Sequence, residues 1–210
     1  MDSAASTTSV SPEAWANDVL DFWFGELDDD GQAGDERSGR WWRKDPAFDR
    51  EIGERFGGLI AAAKRGELEI GNEARERLAA LIVLDQFTRN VGRDTAAMYA
   101  LDDQAIRLAA SLVRRGEDKS LPAAMRSFCY LPFMHSESLD DQEYCIAMFE
   151  VMKHEVPASL RESVLRQIDF ARRHRDIVAR FGRFPHRNEL LGRPSTEEEL
   201  TFLEQDGSSF

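Results

Sequence analysis

The stretch NEARERLAALIVLDQFTRN, residues 72–90, decides the fold class of this chain. Its apolar side chains recur every three or four residues, which is the period of an amphipathic helix and not the alternation of a strand. Asn72 can cap its first turn. The chain has no alternating runs rich in valine, isoleucine and threonine. The sequence therefore predicts an all-α fold.

Helix start and stop signals on both sides of this stretch predict about eight antiparallel helices. Ser11 followed by Pro12, and Asp45 followed by Pro46, are typical helix starts. Pro132 should break or kink the helix in which it lies. The other predicted caps and ends are Gly25, Gly66, Asp94, Ser138, Pro157, Gly182 and Thr196.

Two segments lack the helical pattern. Residues 1–11 are mostly small and hydroxyl-bearing, which predicts a disordered N-terminal tail. Residues 26–40 are acidic and contain glycine, which predicts an exposed loop. Residues 12–210 are long enough to bury one substantial core, so we expect a single helical domain.

The charge balance limits the partners of the protein. The chain has 39 acidic and 27 basic residues, a formal net charge of -12. Such a surface repels phosphate backbones, so neither nucleic acid nor an anionic membrane is an expected partner. Cys129 and Cys145 lie among apolar neighbours and are expected to be buried reduced thiols. With no apolar run long enough to span a bilayer, the sequence favours a cytoplasmic protein.

The apolar stripe of the 72–90 helix continues into charged residues. Leu78, Ile82, Asp85 and Arg89 follow one another at steps of four, three and four, so they share one face. A buried carboxylate needs a partner, and Arg89 at i+4 has the right spacing. Two interpretations remain open here, a buried ion pair that fixes helix packing and a functional site.

A second polar group follows the apolar run FCYLPFM, residues 128–134. His135 can act as an acid or base near neutral pH, with Glu137 or Asp85 as its partner. The alternative is a histidine that is hydrogen-bonded in the core, followed by Ser138 as a helix cap.

The third polar group is RFGRFPHRN, residues 180–188. Gly182 can end the preceding helix and the Phe184-Pro185 pair stiffens the turn. Rigidly held guanidinium groups match a carboxylate or a phosphate. The alternative is that these arginines pair with acidic residues elsewhere. The polar side chains of this segment are Arg183, His186, Arg187 and Asn188.

No motif in the chain indicates a metal or a cofactor. The sequence has no HExxH, no paired CxxC, no Walker A sequence and no GxGxxG. Its four histidines are scattered. We therefore predict neither a metal site nor a bound cofactor.

Three motifs, LDQFTRN, FCYLPFMHSE and RFGRFPHRN with the following LGRPSTEEELTFL, resemble a bacterial family known as domain of unknown function number nine hundred and twenty-four. The likeness extends from Trp15 to Leu203. It implies a tetratricopeptide-like all-helical fold in a cytoplasmic protein. It implies no reaction, but its motifs contain the same polar positions that the helical pattern singles out.

Two functions fit these observations. In the first, the protein has a pocket for an anionic small molecule, a carboxylate or a phosphate, and performs acid-base or hydrolytic chemistry. Asp85, His135 and Glu137 are its candidate catalytic residues. The candidate ligand-binding residues are Arg89, Asn90, Arg93, Arg183, His186, Arg187 and Asn188. In the second, tetratricopeptide-like helices bind a peptide or protein and the polar motifs are structural.

Overall fold

The computed structural model describes residues 11–209, and all its regular elements are helical. The first helices are α1 Pro12–Phe24, α2 Asp35–Trp41, α3 Pro46–Lys64, α4 Ala74–Leu81 and α5 Thr88–Val91, with a π-helical turn, Ile82–Phe87, between the last two. The others are α6 Asp102–Arg114, α7 Ala123–Phe128, α8 Leu131–His135, α9 Leu139–Glu155, α10 Arg161–Phe181 and α11 Glu197–Leu203. Short 3-10 turns lie at Ala96–Tyr99, Glu117–Ser120, Ala158–Leu160 and Pro185–Arg187.

The prediction of an all-α single domain is confirmed. Residues 11–209 contain no β-strand, and their one β-bridge joins Leu27 to Ala33. None of the helices in that range combines the length and the hydrophobicity that a bilayer crossing needs. The predicted disordered tail, residues 1–11, lies outside the described part of the chain except for Ser11, which caps α1. The tetratricopeptide-like arrangement stays a prediction.

Local sequence explains most helix boundaries. The Ser11 hydroxyl accepts a hydrogen bond from the Ala14 amide, and the Asp45 carboxylate caps α3 in the same way. Gly182 ends α10 in the left-handed conformation, with φ 68°. Pro132 lies in the first turn of α8, after a break in the helical chain.

Two predicted caps are wrong. Helix α4 begins after Glu73, whose side chain forms a reciprocal capping box with Glu76, and not after Asn72. Asp94 has a φ of 60° and does not cap a helix. The hydroxyl of Thr95 caps the following 3-10 turn instead, accepting a hydrogen bond from Ala97.

The predicted acidic loop at 26–40 is wrong in its second half, which forms α2. Tertiary contacts hold this helix against α1. The Arg37 guanidinium donates to the Phe22 carbonyl at 2.6 Å, and the Trp41 indole donates to the Trp23 carbonyl at 2.9 Å. Local composition did not reveal α2 because these stabilising partners lie on a different helix.

The core is rich in aromatic rings. Trp23 stacks on Phe48 with ring centroids 5.8 Å apart, and Phe22, Phe56 and Phe87 pack nearby. Aromatic rings bury large apolar areas, so this cluster contributes strongly to holding α1, α3 and the π turn together. The expectation for the two cysteines is confirmed, since both are free and buried.

Candidate functional site

The helical segment from α4 to α5 widens into a π turn at Ile82–Phe87, where all six residues are buried. A π turn leaves carbonyls out of α-helical register, and here side chains satisfy them. The Thr88 hydroxyl donates to the Leu84 carbonyl at 2.7 Å, and Arg89 donates to the Asp85 carbonyl at 2.9 Å. Isolated π turns of this kind are frequent at functional sites.

The π turn places Asp85 against His135 of α8. The Asp85 Oδ1 and the His135 Nδ1 are 2.8 Å apart, which is a hydrogen-bond distance. Gln86 donates to the other carboxylate oxygen at 2.6 Å. Arg89 lies 2.9 Å from Oδ1, so the predicted i, i+4 ion pair is confirmed.

The electrostatic surroundings fix the protonation of this pair. Burial raises the pKa of Asp85, but the charges of Arg89 and His135, with the hydrogen bonds from His135 and Gln86, bring it down to about 2. Burial and the charge of Arg89 lower the pKa of His135, against the opposing effect of Asp85. Near neutral pH a neutral imidazole therefore donates its Nδ1 proton to an ionised carboxylate. The lone pair is on Nε2, the nitrogen available as a base.

Two arginines share the carboxylate of Asp102. Arg89 binds it with both terminal nitrogens, at 2.9 and 3.0 Å, whereas Arg187 reaches one oxygen at 3.5 Å. Arg187 also donates to the His135 carbonyl at 2.9 Å and lies over the ring of Tyr99, 4.6 Å from its centroid. Its Nε is buried without a hydrogen-bond partner. Burial and the nearby charge of Arg89 lower the pKa of Arg187.

Arg89, Tyr99, His135 and Arg187 line a cavity of about 400 Å³. In this lining, which draws only on residues 11–209, there is no aspartate or glutamate, although the whole chain has an excess of acidic residues. Its walls instead carry three histidines, His135, His174 and His186, and five arginines, which are Arg43, Arg89, Arg93, Arg166 and Arg187.

The structure brings most of the predicted site residues to this cavity. The sequence-predicted residues that line it are Arg89, Asn90, Arg93, His135, His186 and Arg187. Asp85 lies behind His135 and contacts it without lining the cavity. Asn90 and Arg93 both bind the Asp49 carboxylate, at 2.7 Å for the closest atoms of each, so part of their hydrogen-bonding capacity is already used.

Three predicted residues, Glu137, Arg183 and Asn188, are not in the cavity lining. Glu137 binds Arg193 with both carboxylate oxygens, at 2.6 and 2.9 Å, and accepts the Phe184 amide proton, so Asp85 is the partner of His135.

The other two brace the C-terminal helix. Arg183 makes a two-pronged ion pair with Glu199, at 2.6 and 2.8 Å, and Asn188 donates to Ser195 at 3.0 Å. These contacts correspond to the scaffold interpretation of the third motif.

Several cavity residues are absent from the sequence-based candidates. Trp41, Trp42, Tyr99 and Arg166 belong to none of the three polar motifs. These residues lie at helix ends or on helix faces that only the tertiary fold brings together. No local sequence pattern could therefore have identified them as cavity residues. Over the part of the chain that the structure covers, no cluster of three or more histidine, cysteine or acidic residues is arranged to hold a metal ion.

Acid should destabilise the protein through the buried cavity histidines. Burial lowers the pKa of His174 to about 3 and that of His186 to about 4. An unfolded histidine titrates near pH 6.5, so below that value the unfolded state binds more protons and stability falls as the pH approaches 4. We expect the urea midpoint to fall over this range, and to fall less in His174→Gln. The exposed His154 supplies the control, because His154→Gln should keep the parental slope. A His174→Gln slope equal to the parental one would contradict the assignment.

The fold and the site together define the class of this protein. It is an all-α domain with an arginine-rich cavity beside a π turn. The profile of the family described as "Bacterial protein of unknown function (DUF924)" matches residues 19–207, and the chain belongs to this family. The solved structure of the protein of unknown function ATU0120 from Agrobacterium tumefaciens is similar, with a TM-score of 0.75 and 37% identity. The match covers 92% of this chain and 99% of that one. No curated protein matches the chain.

Proposed function

We propose that the cavity binds the carboxylate or phosphate group of a small molecule and that the Asp85–His135 pair transfers a proton on it. The observation that carries this proposal is the buried and incompletely neutralised guanidinium of Arg187, in a described lining that has five arginines and no acidic side chain. Arg89, Arg93 and Arg166 are paired with carboxylates outside that lining. Clefts lined by one sign of charge concentrate ligands of the opposite sign.

Arg187 is the strongest candidate for direct contact with the anion. Its guanidinium is largely buried, its single carboxylate partner is shared with Arg89, and its Nε has no hydrogen-bond partner. An incompletely neutralised buried cation is costly, and a bound anion would remove that cost. Arg89 is better neutralised and serves to position the Asp85 carboxylate.

The proton chemistry follows from the state of His135. With Nδ1 donating to Asp85, Nε2 can take a proton from a water molecule or from an acidic C–H of the ligand. No serine, threonine, cysteine or lysine occurs among the described lining residues. Water is therefore the nucleophile that we assign to a hydrolytic reaction, with Arg187 facing the negative charge that develops.

The competing proposal is a tetratricopeptide-like module for a peptide. A second hollow of about 700 Å³ shares Trp41, Trp42 and Leu131 with the cavity, so the two together would accept a longer ligand. If this alternative is right, a peptide would stabilise the folded protein and a small anion would not. Cytoplasmic residence remains a prediction in either case.

A thermal-shift titration with inorganic phosphate and with acetate tests the anion site. A ligand at 100 times its Kd stabilises by about 2.7 kcal/mol, which for a chain of this size is about 5–10 °C in Tm. Sodium chloride at equal ionic strength is the control and should leave Tm nearly unchanged. If neither of these anions and no longer carboxylate up to octanoate raises Tm above the chloride control, the proposal is wrong.

Phosphate should also raise the pKa of His135, because a nearby anion stabilises the imidazolium. The measurement is an NMR titration of the imidazole C–H resonances with and without phosphate. His154 lies outside the cavity lining and should not respond. A rise in Tm without a change at His135 would place the anion away from the proposed base.

A further inference from the structure

Part of the cavity lining is apolar. Its residues, called here the apolar side, are Trp41, Trp42, Met98, Leu131, Met134 and Phe170. Two of these rings are unusually open to solvent, Trp42 at 57% and Phe170 at 44%. Large exposed aromatic groups beside a polar site are typical of ligand-binding surfaces. Resting on the proposed function, we infer that the anionic ligand carries an apolar or aromatic group that lies against this apolar side.

Polar and apolar lining residues are unevenly distributed among the elements, although α8 and α10 supply both kinds. The segment from the π turn through the following turn supplies only polar groups, Gln86, Arg89, Asn90 and Arg93. Helix α2 supplies the two tryptophans at its C-terminal end. A ligand that satisfies both surfaces must itself have a charged end and an apolar end.

The apolar side is held in place without a ligand. The Trp41 indole donates to the Trp23 carbonyl and stacks on the Trp23 ring, with centroids 6.2 Å apart. Trp42 stacks on Phe128 with an interplanar angle of 10° and a centroid distance of 6.0 Å. Prepositioned rings lose little conformational freedom on binding, so the area that they bury would contribute directly to affinity.

A second hollow of about 700 Å³ adjoins the apolar side. It shares both tryptophans and Leu131 with the cavity and also contains Phe128, but its far walls are polar and include Asp28, Asp35 and Glu162. An apolar chain attached to the anionic group therefore has room to extend along the shared rings, up to the point where the lining becomes polar. This favours a medium-length or aryl-substituted acid over phosphate or acetate themselves.

Isothermal titration calorimetry with the straight-chain carboxylates from acetate to octanoate tests this inference. Burying a methylene tightens binding about fourfold, so we expect Kd to fall by about that factor per carbon until the hollow is filled. The primary amides of the same lengths are the neutral controls and should bind at least tenfold more weakly.

Trp42→Ala should flatten this dependence on chain length, so that the affinity for octanoate falls by a much larger factor than the affinity for acetate or phosphate. The matched control is Leu165→Ala, since Leu165 is 49% exposed on α10 and does not line the cavity. This control should keep the parental dependence.

The outcomes separate this inference from the proposed function. Binding of acetate and phosphate with no gain from longer chains would overturn the inference and leave the anion site intact. A parental chain-length dependence in Trp42→Ala would also overturn it. If the amides bound as well as the acids, the ligand would not need a charged end, and the inference would be wrong. If no carboxylate and no phosphate binds, the anion site and the inference fail together.

Discussion

Arg187→Gln should lower the affinity of the cavity for phosphate or a carboxylate by about 10- to 100-fold. Hydrogen bonds to charged groups contribute about 1.5–3 kcal/mol, and Arg187 is a buried cavity arginine whose contact with the Asp102 carboxylate is long, at 3.5 Å. Calorimetric titration of parent and variant with the same anion measures the change. Glutamine keeps a donor for the His135 carbonyl, so the loss should appear in binding more than in folding.

Arg183→Gln is the matched control for that experiment. Arg183 is an arginine of the same motif, but its guanidinium is fully engaged with Glu199 and the Pro194 carbonyl outside the cavity. We expect this variant to lower Tm and to keep the parental anion affinity. If Arg183→Gln weakened binding as much as Arg187→Gln, the anion would not lie where we propose.

Asp85→Ala should lower the free energy of unfolding by about 3–5 kcal/mol, because removing one partner of a buried ion pair leaves the others uncompensated. The Asp85 side chain is almost fully buried and receives contacts from Gln86, Arg89 and His135. Urea unfolding followed by circular dichroism gives the comparison.

Asp18→Ala provides the exposed control, since Asp18 pairs with Arg55 at 2.8 Å on the surface. Exposed pairs typically contribute about 1 kcal/mol or less. A loss for Asp85→Ala no larger than that for Asp18→Ala would show that the carboxylate is not a buried ion-pair partner.

Much of the fold could be predicted because the sequence repeats its apolar residues at helical intervals and marks helix ends with local caps. The Ser11, Ser138 and Thr196 caps act within three residues, so composition suffices to find them. Helix α2 could not be predicted, because its stability depends on contacts with α1. The π turn escaped detection as well, since a continuous apolar run such as IVL has no period that separates α from π geometry.

The candidate site could be predicted only in part for the same reason. The Asp85–Arg89 pair follows from helical spacing, but the contact between Asp85 and His135 joins residues fifty positions apart. Whether an arginine lines a cavity or braces a helix depends on which carboxylate the fold brings to it. Arg183 meets Glu199 and Arg187 does not, although both arginines lie in one short motif.

The π turn at Ile82–Phe87 accommodates an extra residue compared with an α-helix of the same rise. Deleting a single residue there would restore continuous α-helix, and the side chains downstream would keep nearly the same direction, because the wide turn already absorbs that residue. If the deleted residue were Gln86, Arg89 and Asn90 would stay on the cavity wall, while Asp85 would lose the donor to its second carboxylate oxygen. A one-position gap within this run is therefore compatible with the architecture of this protein and with its arginine-bearing wall.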